Sequence, residues 1–198
     1  MTVEFDFEPA ARRLAGVLAA IPADALDAPT PCEDTTVGAL LDHVNGFTWT
    51  FTQVARKAVA PGSSRPARTD AGSLPADWRD RVDAQLKELV EAWREPSAWD
   101  GMSEAGGVTL PANVLARVAL DELILHGWDL ARATGQTYDV PVEEAEQCIA
   151  LFESLPAQAE DAPRPPDGAF GPPVPVADDA SALDRLVARS GRNPAWTP

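Results

Sequence analysis

The positions of the prolines limit this chain to a small set of folds. A proline inside a helix removes a hydrogen bond and clashes with the preceding turn, so helices have to fit between prolines. In the windows that remain, apolar residues recur at intervals of three and four, which is the helical period. The predicted helices run over about Pro9–Ile21, Thr36–Ala58, Ala76–Arg94, Pro111–Thr134, Val142–Leu155 and Ala180–Arg189. We predict an all-α chain in which no sheet forms, with at most a short extended piece at Gly107–Leu110.

The charge of the chain excludes several classes of partner. Its 198 residues include 31 acidic and 16 basic side chains, for a net charge of -15. Such a field repels phosphate groups and argues against nucleic-acid binding. We expect no membrane association either, because the sequence has no basic amphipathic segment, signal peptide or spanning run. Two cysteines without a paired motif predict a reduced, cytoplasmic protein.

The predicted helices divide into a bundle and a C-terminal appendage. Proline, glycine and serine at 61–66 predict a long linker between the second and third helices, reaching about Leu74. Six prolines between Pro163 and Pro175 exclude a helix there and predict an extended strap. We therefore predict a helical bundle over residues 1–160. Residues 161–198 are predicted to be the proline-rich strap and a short helix that packs on the bundle.

The only two histidines of the chain and one carboxylate are the candidate site residues. At about 100° per residue, Glu122, His126 and Asp129 share one otherwise apolar face of the fourth helix. His43 lies on the apolar face of the second helix. Glu122 and His126 are four residues apart, which places their Cβ atoms about 5–6 Å from each other. Both side chains could therefore reach one ion, with His43 joining them from a facing helix.

A buried carboxylate needs a cation, a proton or a metal beside it. His43, Glu122 and His126 supply two imidazoles and a carboxylate, the ligand set of a catalytic zinc site with its fourth position open. Zinc is favoured, and nickel or iron would accept the same donors. Two alternatives stand beside the metal. Each histidine could be a hydrogen-bonded core residue, and Glu122 could pair with an arginine such as Arg12 or Arg117.

Other residues carry weaker signals. Asp129 either orients a ligand histidine as a hydrogen-bond acceptor or only ends a polar stripe. Cys32 precedes a helix start, where a thiolate could be stabilised, but no basic residue or histidine is near it in sequence, so we predict a structural thiol. Cys148 is predicted to pack in the core. Trp49 is also predicted to be a core residue, although Trp49 and Thr50 could line a cavity instead.

Three segments resemble a known family. PTPCEDTTVGALLDH (29–43) is similar to the start of the second helix in the mycothiol-dependent maleylpyruvate isomerase N-terminal domain family, and DELILHGWDLA (121–131) is similar to its metal-binding fourth helix. FGPPVPV (170–176) and GRNP (191–194) resemble an actinobacterial subgroup of metal-binding members. The wider superfamily is DinB-like. The resemblance thus implies a four-helix bundle with a long crossover between helices 2 and 3, and the predicted linker agrees with it.

The resemblance also implies roles for residues and small molecules. His43, Glu122 and His126 match the family's three metal ligands, the same three that periodicity selects. A low-molecular-weight thiol, mycothiol in actinobacteria, is implied as cofactor or co-substrate, since a metal with an open position lowers a thiol pKa. Two departures stand out: Thr35 replaces a tryptophan common in relatives, and the isomerase's additional C-terminal domain has no counterpart here. Isomerase activity on maleylpyruvate itself is therefore not expected.

These observations favour a cytoplasmic protein that binds a divalent metal. As an enzyme it would be a thiol-dependent transferase or isomerase that acts on a small-molecule substrate through a metal-activated thiolate. One alternative is a non-catalytic bundle that binds a small ligand or partner protein and has a structural or vestigial metal site. Another is a hydrolase that uses metal-bound water. The substrate, the thiol and the oligomeric state stay open, a homodimer being one alternative.

Overall fold

Six helices account for most of the described chain. The computed structural model describes residues 2–60, 62–63, 70–154 and 171–198. All six predicted helices are confirmed, with ends that differ by a few residues; Leu155, the predicted end of the fifth, lies outside the described residues. The helices are α1 Glu8–Ala20, α2 Val37–Ala55, α3 Trp78–Arg94, α4 Ala112–Ala133, α5 Val142–Ser154 and α6 Ala182–Arg189.

The first four helices form a bundle around one apolar core. Helix α1 packs on α3 and α4, and α2 packs on the same two helices. The apolar stripes that the sequence predicts for α1 and α3 are buried at this junction, because burial of one face is what stabilises an amphipathic helix. They comprise Leu14, Val17, Leu18, Ile21, Trp78, Val82, Leu86, Leu89 and Trp93. The helical bundle is therefore confirmed.

A short hairpin precedes α4, and the prediction that no strands pair was wrong here. Strand β1, Met102–Ala105, pairs antiparallel with β2, Val108–Pro111. The turn is Gly106-Gly107, and both residues have positive φ, at 57° and 83°. Two such residues form the tight turn that matches the twist of paired strands. Each strand has four residues, too few for alternation to be visible in the sequence, and only the extended Gly107–Leu110 piece was expected.

The turn before α2 fixes where that helix begins and so where His43 lies. Thr36 is the N-cap, as its residue type predicts, and its hydroxyl accepts a hydrogen bond from the Ala39 N–H at 3.3 Å. The Thr30 hydroxyl donates to the Thr35 carbonyl at 2.9 Å and closes the turn. The Gly38 N–H donates to a carbonyl of the preceding loop at 2.8 Å. Both side-chain and backbone hydrogen bonds thus fix the first turn of α2 and the loop before it.

The C-terminal segment lies against the bundle through α6. Helix α6 packs on α5, and Leu186 and Val187 are fully buried in the common core. The strap approaches the end of α6, where the Gly171 N–H donates to the Ser190 carbonyl at 3.1 Å. The predicted boundary at 160/161 and the prolines 163–166 lie outside the described residues, so the division into two parts stays a prediction. Among the helices described, none is both long and apolar enough to cross a bilayer.

Candidate metal centre

Helices α2 and α4 bring the three predicted ligands together. The Nε2 atom of His43 lies 3.1 Å from Glu122 Oε2, and the Nε2 atom of His126 lies 3.0 Å from the same oxygen. One ligand atom from each of the three residues lies within 4.8 Å of the other two. Periodicity accounts for this, because Glu122 and His126 are one helical turn apart on the face of α4 that meets α2. Two helices therefore direct three donor atoms at one point.

The arginine alternative for Glu122 was wrong. Arg12 pairs with Glu8, one turn away on the same helix. Arg117 donates to Glu4 at 2.9 Å. Glu122 instead accepts hydrogen bonds from the imidazoles of His43 and His126, and among the described residues no lysine or arginine pairs with it.

The donor set fits a divalent metal. With Zn–N distances of about 2.0–2.1 Å, ligand atoms at the corners of a tetrahedron are about 3.3 Å apart. The two Nε2-to-Oε2 distances need to lengthen only slightly to meet this value. The side chains of His43 and Glu122 are 16% and 21% exposed, so solvent or a small molecule can approach from one side. Two neutral nitrogens, one carboxylate and an open side are what a catalytic zinc site requires.

Phe47 and Asp129 restrict the orientation of the imidazoles. The ring of Phe47 stacks near His126, with centroids 6.1 Å apart, and meets His43 edge-on at 5.5 Å. Asp129 Oδ2 lies 3.0 Å from His126 Nδ1. Of the two sequence interpretations of Asp129, the structure supports the one in which it orients a histidine. A carboxylate in this position fixes Nδ1 as the protonated nitrogen and leaves Nε2 to face the ligand position.

Asp129 has a second partner that the sequence does not predict. Arg192, which follows α6, donates from Nε to Asp129 Oδ1 at 2.8 Å and from Nη2 to Oδ2 at 2.9 Å. Both side chains are buried, at 4% and 0% exposure. Burial alone would raise the pKa of Asp129, but the charge of Arg192 and the hydrogen bond from His126 outweigh it and lower that pKa. Asp129 is therefore a buried anion with a full set of partners.

The charges around His126 hold a proton on it when no metal is bound. Burial by itself would lower the pKa of His126, but hydrogen bonds to Asp129 and Glu122 and their charges raise it to about 10. Burial would likewise raise the pKa of Glu122, but hydrogen bonds from His126 and His43 hold it well below its usual range. Without a metal, the centre thus contains an imidazolium between two carboxylates.

A third acidic residue, Asp121, lies beside the centre. Burial, reinforced by the charge of Glu122, raises the pKa of Asp121 well above its usual value, which favours the neutral acid. Burial also raises the pKa of the Cys148 thiol, and the nearby Asp121 raises it further. The prediction that Cys148 packs in the core is confirmed, since it is 1% exposed.

The surroundings of Trp49 and Cys32 differ from those that the sequence predicts. Trp49 is 58% exposed, so its prediction as a core residue was wrong. On α2 it lies about 100° around the helix from Thr48, which faces the core. Cys32 is buried as a structural thiol would be, but a basic residue does lie close to it. Arg192 Nη2 is 4.0 Å from Cys32 Sγ, across 160 residues of sequence.

Comparison with protein families gives a match over the helical bundle. The model of the family described as mycothiol maleylpyruvate isomerase N-terminal domain matches residues 7–131. This range contains His43, Glu122, His126 and Asp129 and ends before Arg192. Two uncharacterized proteins of Mycobacterium tuberculosis, from strains CDC 1551 and H37Rv, are each 32% identical over 181 residues. Each alignment covers 90% of this chain and 91% of the relative.

Solved structures share the fold. The crystal structure of the mycothiol-dependent maleylpyruvate isomerase superposes with a TM-score of 0.55 at 18% identity. A histidine-to-alanine mutant of that isomerase gives a TM-score of 0.56 at 17% identity. In both comparisons the aligned part is 73% of this chain and 64% of the isomerase chain. At this identity the likeness establishes the fold, and the present chain spans about two thirds of the isomerase's length.

Proposed function

This chain belongs to the mycothiol maleylpyruvate isomerase N-terminal domain family, and from that membership we propose that it binds a divalent metal and uses it with a low-molecular-weight thiol. The metal, zinc by preference, is held by His43, Glu122 and His126. The reaction class is transfer or isomerisation of a small electrophilic substrate, with mycothiol or a similar thiol as co-substrate. Cytoplasmic location is part of the proposal and is supported by two buried, unpaired cysteines.

One observation carries the proposal: both histidine Nε2 atoms converge on the same oxygen of Glu122, at 3.1 and 3.0 Å. Each of the residues at this point would have a defined role in a metal centre. His43 and His126 offer neutral nitrogen donors, and Glu122 supplies negative charge in a weakly screened apolar setting. Asp129 keeps the proton of His126 on Nδ1, so that its Nε2 stays directed at the ligand position.

When bound, a divalent ion would act as a Lewis acid and lower the pKa of a thiol or water in its remaining coordination position. The partial exposure of His43 and Glu122 favours this use over a closed structural site, because a structural zinc takes all four of its ligands from the protein. Phe47 contacts both imidazole rings and so limits the orientations they can adopt.

Elemental analysis tests the metal first. Protein purified without a tag and without chelators should contain about one divalent ion per chain, and His43→Ala should lose most of it. Glu144→Gln is a matched control, because the Glu144 carboxylate is similarly shielded, at 19% exposure, but pairs with Arg13 outside the centre. A wild-type protein that carries no metal and takes up neither zinc nor cobalt on titration would refute the proposal.

Turnover with and without thiol then separates the reaction classes. The metal-loaded protein is incubated with a model electrophile, with mycothiol present or omitted. Dependence on the thiol supports transfer or isomerisation, whereas equal hydrolysis of an activated ester in both arms supports the hydrolase. A loaded protein that shows neither activity supports the non-catalytic bundle.

A further inference from the structure

A line of hydrogen bonds connects the C-terminal segment to the centre. Arg192 binds both oxygens of Asp129, and Asp129 Oδ2 contacts the Nδ1 of His126. His126 in turn contacts Glu122 through Nε2. Arg192 and Asp129 are 63 residues apart in sequence, and Arg192 is beyond the part of the chain that matches the family. A residue outside the bundle thus contacts the group that orients a ligand.

The end of α6 is built to turn Arg192 inward. The Arg192 N–H donates to the Val187 carbonyl at 3.1 Å, and the Gly191 N–H donates to the Ala188 carbonyl at 3.0 Å. These two bonds make a Schellman motif, in which the residue after the helix cap adopts a left-handed conformation. Gly191 has φ of +83°, and a Cβ there would lie 2.6 Å from the Gly171 Cα. No other residue fits this position without moving the strap.

The guanidinium is well suited to hold a buried carboxylate. Its planar fork makes two parallel hydrogen bonds, which fix the plane of the carboxylate as well as its position. Arg192 Nη1 also donates to the Ser190 hydroxyl at 3.1 Å, so the fork itself is held. Without Arg192, Asp129 would be a fully buried anion whose remaining side-chain partner among the described residues is His126, and such an anion reorients or takes up a proton.

We infer that Arg192 is a positioning residue of the metal centre: it fixes Asp129, which fixes the ring of His126. The inference rests on the proposed function, because its first measurement is metal affinity. It makes the segment 171–198 part of the centre, although no residue of that segment contributes a ligand atom to the described site.

A purely structural role for Arg192 makes a different prediction, and the chain contains a control for it. Arg132 anchors the same segment, donating from Nη2 to the carbonyls of Pro194 and Trp196 at 3.0 Å each. Arg132 makes no hydrogen bond to Asp129 among the contacts described. If C-terminal packing alone matters, Arg132→Gln and Arg192→Gln will affect the centre equally.

The experiment measures zinc affinity by competition with a chromophoric chelator, and the visible spectrum of the cobalt form. Arg192→Gln should bind zinc about 10- to 100-fold more weakly, the usual loss for a group that orients a ligand, and should change the cobalt spectrum. Arg192→Lys, which retains the charge without the fork, should fall between Gln and wild type. Arg132→Gln should stay within about threefold of wild type even where its melting temperature falls.

A double-mutant cycle tests whether Arg192 acts through Asp129. Asp129→Asn alone should weaken zinc binding, and adding Arg192→Gln should weaken it no further, because the two residues form one unit. Independent, additive losses would overturn the inference, as would an Arg192→Gln protein with wild-type affinity and spectrum, or equal losses in Arg192→Gln and Arg132→Gln. A wild-type protein that binds no metal refutes the proposed function instead, so the two failures are distinct.

Discussion

Zinc binding to this protein should release a proton from His126 and should therefore depend steeply on pH. Without metal, the hydrogen bonds to Asp129 and Glu122 raise the pKa of His126 to about 10. At pH 7 the ring is then mostly protonated, whereas a metal needs the neutral ring. From the sequence alone, protons would be expected to compete with the metal for the histidines only near and below the ordinary imidazole pKa of about 6.5. In the structure, the raised pKa of His126 extends this competition over the whole neutral pH range.

The expected result is a tenfold gain in apparent zinc affinity for each pH unit between about pH 6 and 8, from His126 alone. Chelator competition at fixed ionic strength measures the slope. Calorimetry in two buffers with different ionisation enthalpies counts the protons released, and about one per ion is expected from His126. Glu122 adds none in this range, because its pKa is held well below its usual value.

The metal-free protein should show the opposite trend in stability. A pKa that is higher in the folded protein than in the unfolded chain stabilises the fold at low pH. This contribution is complete below about 6.5 and is lost as the pH rises through about 10. Asp129→Asn removes the first partner that raises the pKa of His126, so it should flatten both trends. Zinc binding by the wild-type protein without proton release or pH dependence would refute the reasoning.

Substitutions test two further features of the structure. Glu122→Gln keeps the side-chain volume but removes the charge that faces the ion, so zinc affinity should fall at least about tenfold. The Glu144→Gln control should bind zinc with wild-type affinity. Wild-type zinc affinity in Glu122→Gln would exclude Glu122 as a ligand. Gly127→Ala should lower the free energy of unfolding by about 1–3 kcal/mol, because its Cβ would lie 2.2 Å from the Tyr138 hydroxyl. Gly16→Ala, in open space on α1, should raise the free energy of unfolding by up to about 1 kcal/mol. Thermal or urea unfolding curves in which Gly127→Ala is the more stable of the two variants would contradict the packing described.

The three candidate ligands could be predicted because the signal is local and periodic. Glu122 and His126 are one helical turn apart, and a charged pair on an otherwise apolar face needs an explanation. His43 follows a recognisable helix start at Thr36, which the structure confirms as the N-cap. Helical period and capping therefore predict most of what the bundle contributes to the centre.

Arg192 could not be predicted in the same way. Its contact with Asp129 depends on how α6 packs on the bundle, and neither the spacing of 63 residues nor the charge alone predicts that packing. A partial signal exists in the sequence, because Gly191 directly after a short helix predicts a Schellman turn. That turn reverses the chain at Arg192, but it does not say which acidic residue the side chain meets. Trp49 is a similar case, because the sequence predicts the helix on which it lies but not that its side chain faces solvent.

The balance of charge shows why the fourth position of such a centre favours an anion. Counting Glu122, Asp129, Arg192 and His126 alone, the metal-free centre is neutral, with two negative and two positive charges. A divalent ion that replaces one proton of His126 leaves an excess of one positive charge. In an apolar bundle this excess is weakly screened, so an anionic donor is stabilised over a neutral one of similar size. A thiol that ionises on binding would supply that charge, and the positive charge of Arg192 would favour it while Arg192 holds Asp129 in place.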